Sequence, residues 1–423
     1  MWETIKNAWK IEDLRKKMIF TLAMLLVYRI GSFVPVPGID VSLFQQVIDK
    51  GGLLGFFNII SGGAFAKFTI FAMSITPYIN SSIIMQLLTA AIPKLERLSK
   101  EGEEGRKKIA QYTRYFTVIL AFVQAFGITY GLARTSGALL QNNFWSYMVI
   151  SLTLTAGTAF LMWMGEQITE KGIGNGISLI IFTSIISRAP LAVIQLFRMA
   201  FQTNDISPLL LPVIAIFMLA LIAGVIFIDL GQRRIPVQYS KRVVGRKMYG
   251  GQSTHIPMKV NSSGVLPIIF AVSILAVPQT IAQFMSQDSG FVTWVTKYFS
   301  QSSALYAILY ALMIIFFTYF YTQITFNPVE ISNNLKQYGG FVQGIRPGKP
   351  TSDYLMKISN RLTLVGAIFL AMVAILPIVV AAITGVAMSF GGTAILIVVG
   401  VALETSKQLE SQMLMRHYKG FLK

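Results

Sequence analysis

The side chains able to carry chemistry are few and scattered. The chain has no cysteine and only two histidines, His255 and His417. Without cysteine there is no disulfide framework and no thiolate metal site. Histidines this far apart in sequence argue against a histidine-rich metal centre. No metal and no cofactor is therefore expected. No HExxH or GxSxG segment occurs, and nothing pairs a nucleophile with a base. No catalytic residue is assigned, and an enzyme is not expected. Gly172-Ile173-Gly174-Asn175-Gly176 looks like a fragment of a dinucleotide loop. The preceding strand and the following acidic residue are missing, so it reads as a tight turn between two apolar segments.

What remains is the pattern of polar residues inside apolar stretches. Ile75, Ile79, Ser82 and Gln86 fall on one helical stripe, because steps of three and four return to one face. The stripe runs from apolar at one end to polar at the other, with Asn80 and Ser81 beside it. Polar side chains in a membrane span seldom face lipid, so this face should look onto protein or water. Ile181 and Ile185 are also four apart. Isoleucines in spans ordinarily contact lipid or pack, so these alone define no site. Arg29 and Arg188 are the exceptional ionisable residues within spans, both toward external ends. No Asp or Glu lies near a span centre. Ion- and proton-coupled transporters generally need such groups in their path. An inverted-repeat secondary transporter is thus the weaker, alternative reading.

The elements that must position these residues follow from composition. The 423 residues are 54% hydrophobic and only 13% charged, against about 25% charged in soluble domains. Mean hydropathy is +0.61. A disordered chain is excluded and an ordinary soluble enzyme fits poorly. Ten apolar stretches are long enough to cross a bilayer as helices: residues 18–34, 68–92, 115–133, 145–165, 177–197, 209–228, 264–285, 304–326, 362–384 and 391–404. The tenth is short and should continue as helix into a wet region. The expected fold is an all-α polytopic membrane protein.

The net charge of +18 is sorted. With the N-terminus placed in the cytoplasm, 29 of the 36 basic residues fall in cytoplasmic segments. That asymmetry puts both termini in the cytoplasm. Residues 1–17 are amphipathic and basic, and read as a topogenic start rather than a cleavable signal.

The longest breaks, residues 231–263 and 327–361, are both cytoplasmic and far exceed ordinary connections. The first alternates basic and β-prone residues (Arg233-Arg234-Ile235-Pro236-Val237) and reads as a protruding hairpin. The second has a turn-rich tip carrying Arg346. Each is either a topology-setting charge cluster or a docking surface. The first break also separates residues 1–200, with spans one to five, from residues 201–423, with spans six to ten. Five is odd, so a duplicated unit would be an inverted repeat. Residues 52–65 (GLLGFFNIISGGAF) are apolar but too short to span. Asn58 and Gly62-Gly63 break them. They form either a re-entrant segment held inside protein or a surface-lying one.

Six segments, spread over nearly the whole chain, carry a family resemblance. They are GEEGRKKIAQYTRY at 102–115, TEKGIGNGIS at 169–178, GQRRIPVQYSKRVVGR at 231–246, QSTHIPMK at 252–259, FVQGIRPG at 341–348 and FGGTAIL at 390–396. In this order they resemble the SecY family of protein-conducting channels of the bacterial plasma membrane. The resemblance implies ten helices in two pseudo-symmetric five-helix halves forming an hourglass closed at its waist. It implies a pore ring of Ile75, Ile79, Ile181, Ile185, Ile269 and Ile397. Depth counting along the spans does not bring all six to one level. It implies a lateral gate of spans two and seven, flanked by three and eight, with Ser82, Gln86 and Ser273 as its polar residues. It resolves residues 52–66 as a plug, with Phe56, Phe57, Asn58, Ile59, Ile60, Ser61, Gly62 and Gly63 at its centre. It implies docking of a SecA motor or a ribosome through Arg233, Arg234, Arg242 and Arg346. The implied partners further include the small membrane subunits SecE and SecG, signal peptides, unfolded preproteins and membrane lipids. The implied activity is passage of unfolded secretory polypeptides across the membrane and lateral release of transmembrane segments. A poreless membrane scaffold is the third reading.

Overall fold

The computed structural model describes residues 2–41, 58, 61–135, 139–141, 143–202, 207–239, 242–244, 247–249, 253–285, 289–299, 303–384 and 392–420. A basic amphipathic helix, α1 (Trp2–Lys10), precedes the first apolar helix, α2 (Glu12–Gly31). Then come α3 (Thr76–Ala91), α4 (Pro93–Lys100), α5 (Glu103–Thr135), α6 (Phe144–Lys171), α7 (Gly176–Phe201) and α8 (Leu210–Leu230). The first long break holds β1 (Gln232–Tyr239), β2 (Arg242–Val244), β3 (Lys247–Tyr249) and β4 (Ser253–Lys259). The second half continues with α9 (Leu266–Phe284), α10 (Gly290–Tyr298), α11 (Ala304–Thr325), α12 (Pro328–Gln337), β5 (Gly340–Val342), α13 (Lys349–Thr384) and α14 (Gly392–Gly420).

Among the described residues a helix lies at each of the ten expected positions: α2, α3, α5 to α9, α11, α13 and α14. Six of these positions hold helices long and apolar enough on their own to cross a membrane. Helix α8 turns most of its surface outward, with Ile216, Leu219 and Phe227 exposed. In a bundle whose surroundings are lipid, an apolar exterior is the solvated state rather than a defect. The chain is a multi-pass membrane protein.

The edges differ from the hydropathy reading in instructive ways. The second span begins at Thr76, not at residue 68. Residues 61–75 run instead as buried turns. Phe68 (φ 44°) and Ser74 (φ 53°) take left-handed backbone, which interrupts any helix there. The turns find partners in a neighbouring loop: Val36 N donates to Phe68 O, and Ile70 N donates to Val34 O, both at 3.0 Å. Irregular backbone at this depth is viable because it is enclosed by protein. Pro77 sits in the first turn of α3, where its missing N–H costs nothing. Conversely, α5 and α13 start well before their apolar stretches, at Glu103 and Lys349. The tenth helix continues past residue 404, as expected.

The expected hairpin is present, since β1 pairs antiparallel with β4, with Ile235 opposite Ile256. The second long break also joins it. Strand β5 pairs with the other edge of β1, with Val237 opposite Val342. Ile235, Val237, Met258 and Val342 pack with Leu335 of α12 and Leu355 of α13 into a small separate core. The two long breaks are therefore one folded unit.

Helix α1 packs on α14, where Ala8, Leu14 and Leu409 form a cluster with Ile173 of the α6–α7 turn. Lys407 of α14 approaches Asp229 at the end of α8 at 4.0 Å. The first helix, the 172–175 turn, the base of the sheet and the last helix thus share one end of the bundle.

Candidate functional site

The glycine-rich segment is a turn, and its job is placement. Asn175 Oδ1 accepts from Ile177 N and Ser178 N and caps α7. A side chain on Gly176 would bring its Cβ to 2.0 Å from the Gly165 carbonyl. Only glycine permits that approach, and it fixes where α7 carries Ile181 and Ile185 beside α6.

All six expected ring isoleucines belong to one continuous apolar cluster at the centre of the bundle. Five are buried, with Ile75 and Ile185 each 1% exposed, and Ile269 is half-buried. Three of them meet. Ile79 of α3, Ile269 of α9 and Ile397 of α14 line one narrow cleft. Ile75, Ile181 and Ile185 share the same cluster but do not line the cleft. Ile75 precedes the first turn of α3, and Ile185 follows Ser184, which faces the turn at Gly62.

The rest of the cleft wall includes Asn80, Ile268, Val272, Ala276 and Thr393, none of which the sequence reading assigned to a site. The signal was there on α9. Ile268, Val272 and Ala276 repeat every four residues, as do Ile269 and Ser273. Ser273, expected at the gate, lines the cleft opposite Asn80. Asn80 Oδ1 is buried without a hydrogen-bond partner among the described residues. Helix α9 packs directly on α3 and α5, and α11 packs on α9. Ser82 and Gln86 follow along α3, half-buried, with Gln86 Nε2 donating to Ser82 Oγ at 3.4 Å. Of the polar residues expected at the gate, Ser273 therefore lies where α9 packs on α3, and Ser82 and Gln86 lie further along α3.

The constriction can do one thing well. Its exposed wall is mainly apolar, although Thr76, Asn80, Ser273 and Thr393 also line it, and an apolar constriction excludes water and ions by dewetting. Isoleucine offers bulk without donors or acceptors that could hold a file of water.

Of the expected plug, Asn58 and Ser61–Gly63 are described, whereas Phe56, Phe57, Ile59 and Ile60 lie outside the described residues. Asn58 is buried. Its Oδ1 accepts from Ala66 N at 3.0 Å, and its carbonyl accepts from Gly63 N at 2.9 Å. Gly62 has φ 66°, and its Cβ would stand 3.0 Å from the backbone of Ser184 on α7. Asn58 and the turn at Ser61–Gly63 are thus held between α2 and α7, and irregular backbone of this kind needs such enclosure within an apolar bundle.

The expected docking arginines stand at the sheet. Arg233 and Arg234 are exposed on β1, and Arg346 is exposed in the turn after β5. The Arg346 carbonyl accepts from Thr351 Oγ1 at 2.8 Å, which ties the tip to the start of α13. Arg242 lies in β2, paired with Tyr249, and its side chain is outside the described residues. On the neighbouring basic segment, hydrogen bonds from Lys100 and Lys107 hold the Glu96 and Glu103 carboxyls below the usual range.

The SecY family model matches residues 69–406. A curated relative, protein translocase subunit SecY of Halalkalibacterium halodurans, is 48% identical over 431 residues, covering all of both chains. A solved structure described as a protein conducting channel superposes with a TM-score of 0.69 at 18% identity, covering 95% of this chain and 93% of that one. Sec61 in a canine ribosome–channel complex gives 0.62 at 18%, covering 95% and 93%. Both structures share this fold, and the full-length identity goes beyond fold: the chain belongs to the SecY family.

Proposed function

We propose that this chain is the protein-conducting channel of a bacterial plasma-membrane translocon, with both termini in the cytoplasm. The observation that carries the reading is the cleft where Ile79, Ile269 and Ile397 converge from three helices, with α9 packed on α3. An unfolded polypeptide would pass this constriction, whose side chains can part around it and reseal by dewetting. A sufficiently apolar segment would leave sideways between α3 and α9 into lipid. Residues 52–66 would act as a plug on the external side. Residues 1–200 and 201–423 would be the two halves of an inverted repeat. The energy would come from a partner. An ATP-driven SecA motor or a ribosome would dock on the sheet unit through Arg233, Arg234, Arg242 and Arg346. Basic loops suit both a polyanionic RNA surface and an electrostatically matched protein. SecE and SecG would complete the assembly, and signal peptides would open it.

Family membership favours this over a secondary transporter, as does the lack of acidic residues near span centres. The test is reconstitution of the chain with SecE, SecG and SecA in liposomes, followed by a protease-protection assay. ATP-dependent uptake of an unfolded preprotein is expected. Absence of uptake, together with gradient-driven uptake of a small solute, would overturn the reading.

A further inference from the structure

The two arginines that stand out in the apolar helices reach the same turn from opposite sides. Arg188 of α7 donates from Nη1 to the Asn58 carbonyl at 3.0 Å. Arg29 of α2 donates from Nη1 to the Gly62 carbonyl at 3.3 Å. Both side chains are half-buried. Arg29 is held in place by Phe33, whose ring lies 4.8 Å from its guanidinium carbon and also 4.4 Å from Lys67 Nζ. Between the two arginines, the Tyr28 hydroxyl contacts the Ser184 hydroxyl at 2.5 Å and donates to the Ser61 carbonyl at 3.3 Å. The first and fifth spans are therefore joined through the turn as well as beside it.

This arrangement has an energetic logic. Carbonyls of an irregular turn lack the ladder partners of a helix, and under-satisfying them inside an apolar bundle is costly; the Asn58 carbonyl also accepts from Gly63 N at 2.9 Å and Ser61 Oγ at 3.3 Å, and Arg188 adds a charged donor. A charged donor satisfies them more strongly than a neutral one. An arginine inside a membrane bundle is itself expensive and persists where it has a partner. While the turn is seated these costs partly offset each other. When the turn leaves, the carbonyls lose their charged donors and both guanidiniums lose those acceptors in one step.

We propose that Arg29 and Arg188 are a two-sided latch that sets the threshold for displacing Asn58 and the turn at Ser61–Gly63. They are positioning residues that act through backbone carbonyls and do not touch a translocating chain while the turn is seated. The proposal rests on the channel reading above.

The test is resting conductance in planar bilayers of the chain assembled with its small subunits. The variants are Arg29→Gln, Arg188→Gln, the double substitution and Arg188→Lys, each also placed in a background lacking residues 52–63. Each glutamine variant should raise the resting open fraction by about tenfold, as expected for losing a hydrogen bond from a charged group. The double variant should exceed either single, and Arg188→Lys should stay near wild type. In the deletion background the same substitutions should add nothing. A double variant as tight as wild type would overturn the latch. So would an equal increment with the turn already gone, because the arginines would then act on the bundle alone. No conductance even without residues 52–63 would instead overturn the channel reading, and the latch with it.

Discussion

Ile79 on α3 and Ile397 on α14 line the same cleft, although they come from opposite ends of the chain. Ile269 on α9 completes the contact between the two halves. A seal at this cleft would be a property of the assembled bundle, with no single segment carrying it.

Replacing Ile79 or Ile397 by Asn should open that seal to ions. A side-chain amide inside the constriction can hold water, and about 1.4 kcal/mol of such stabilisation would raise the leak roughly tenfold. The same variants should export preproteins with defective signal sequences. Conductance across planar bilayers and an export assay measure both effects, and ion tightness with unchanged signal selectivity would remove these residues from the seal.

The packing of α9 on α3 makes a second prediction. Asn80 and Ser273 line one cleft from facing helices. Asn80→Cys combined with Ser273→Cys should bridge under a short bifunctional thiol reagent and stop export until the bridge is cleaved. The chain has no native cysteine, so each single variant is a clean control. Full export by the bridged protein would mean that the seam need not part.

Arg346 stands exposed in a tip anchored by the Thr351 hydrogen bond to its carbonyl, a contact that does not involve its side chain. Arg346→Glu should therefore leave the fold intact. It should weaken motor docking by about 2 kcal/mol or more, the scale of a disrupted interfacial charge contact. ATP-dependent export would fall by more than tenfold at limiting motor, with circular dichroism and melting temperature unchanged. Normal motor-driven export would shift docking to other basic residues of the sheet unit.

Ser74 offers a test of stored backbone strain. It holds a left-handed φ of 53° next to Ile75, and its buried hydroxyl has no hydrogen-bond partner among the described residues. Ser74→Gly should remove strain of about 1 kcal/mol, partly offset by the greater freedom of glycine in the unfolded chain. The closed channel should melt higher and demand a stronger signal sequence. A lower melting temperature would show that the serine side chain contributes packing that outweighs the strain.

How much was legible in the sequence differs from one element to another. The apolar helices follow from hydropathy because lipid leaves no other option for a spanning chain. The β1–β4 hairpin follows from the alternation around Ile235 and Val237. Strand β5 does not, since three residues carry no periodicity and its partner lies in another loop. The isoleucine cleft was reached through family motifs and not through depth counting. Counting fails because α3 starts after the buried turns at Phe68 and Ser74, and helix tilt is invisible in a linear count. Arg29 and Arg188 stood out as charges in apolar stretches. Their carbonyl partners could not be read, because backbone acceptors leave no mark on residue identity.

The central claim is that a polypeptide passes between Ile79, Ile269 and Ile397. It is tested most directly by stalling a preprotein with one cysteine in mid-passage and oxidising it against single-cysteine channels. Ile79→Cys, Ile269→Cys and Ile397→Cys should each form a disulfide with the stalled chain, while Leu219→Cys, on the outward face of α8 and 66% exposed, should not. Adducts at Leu219 comparable with those at the three isoleucines, or none at the isoleucines while the chain is stalled across the membrane, would contradict the account.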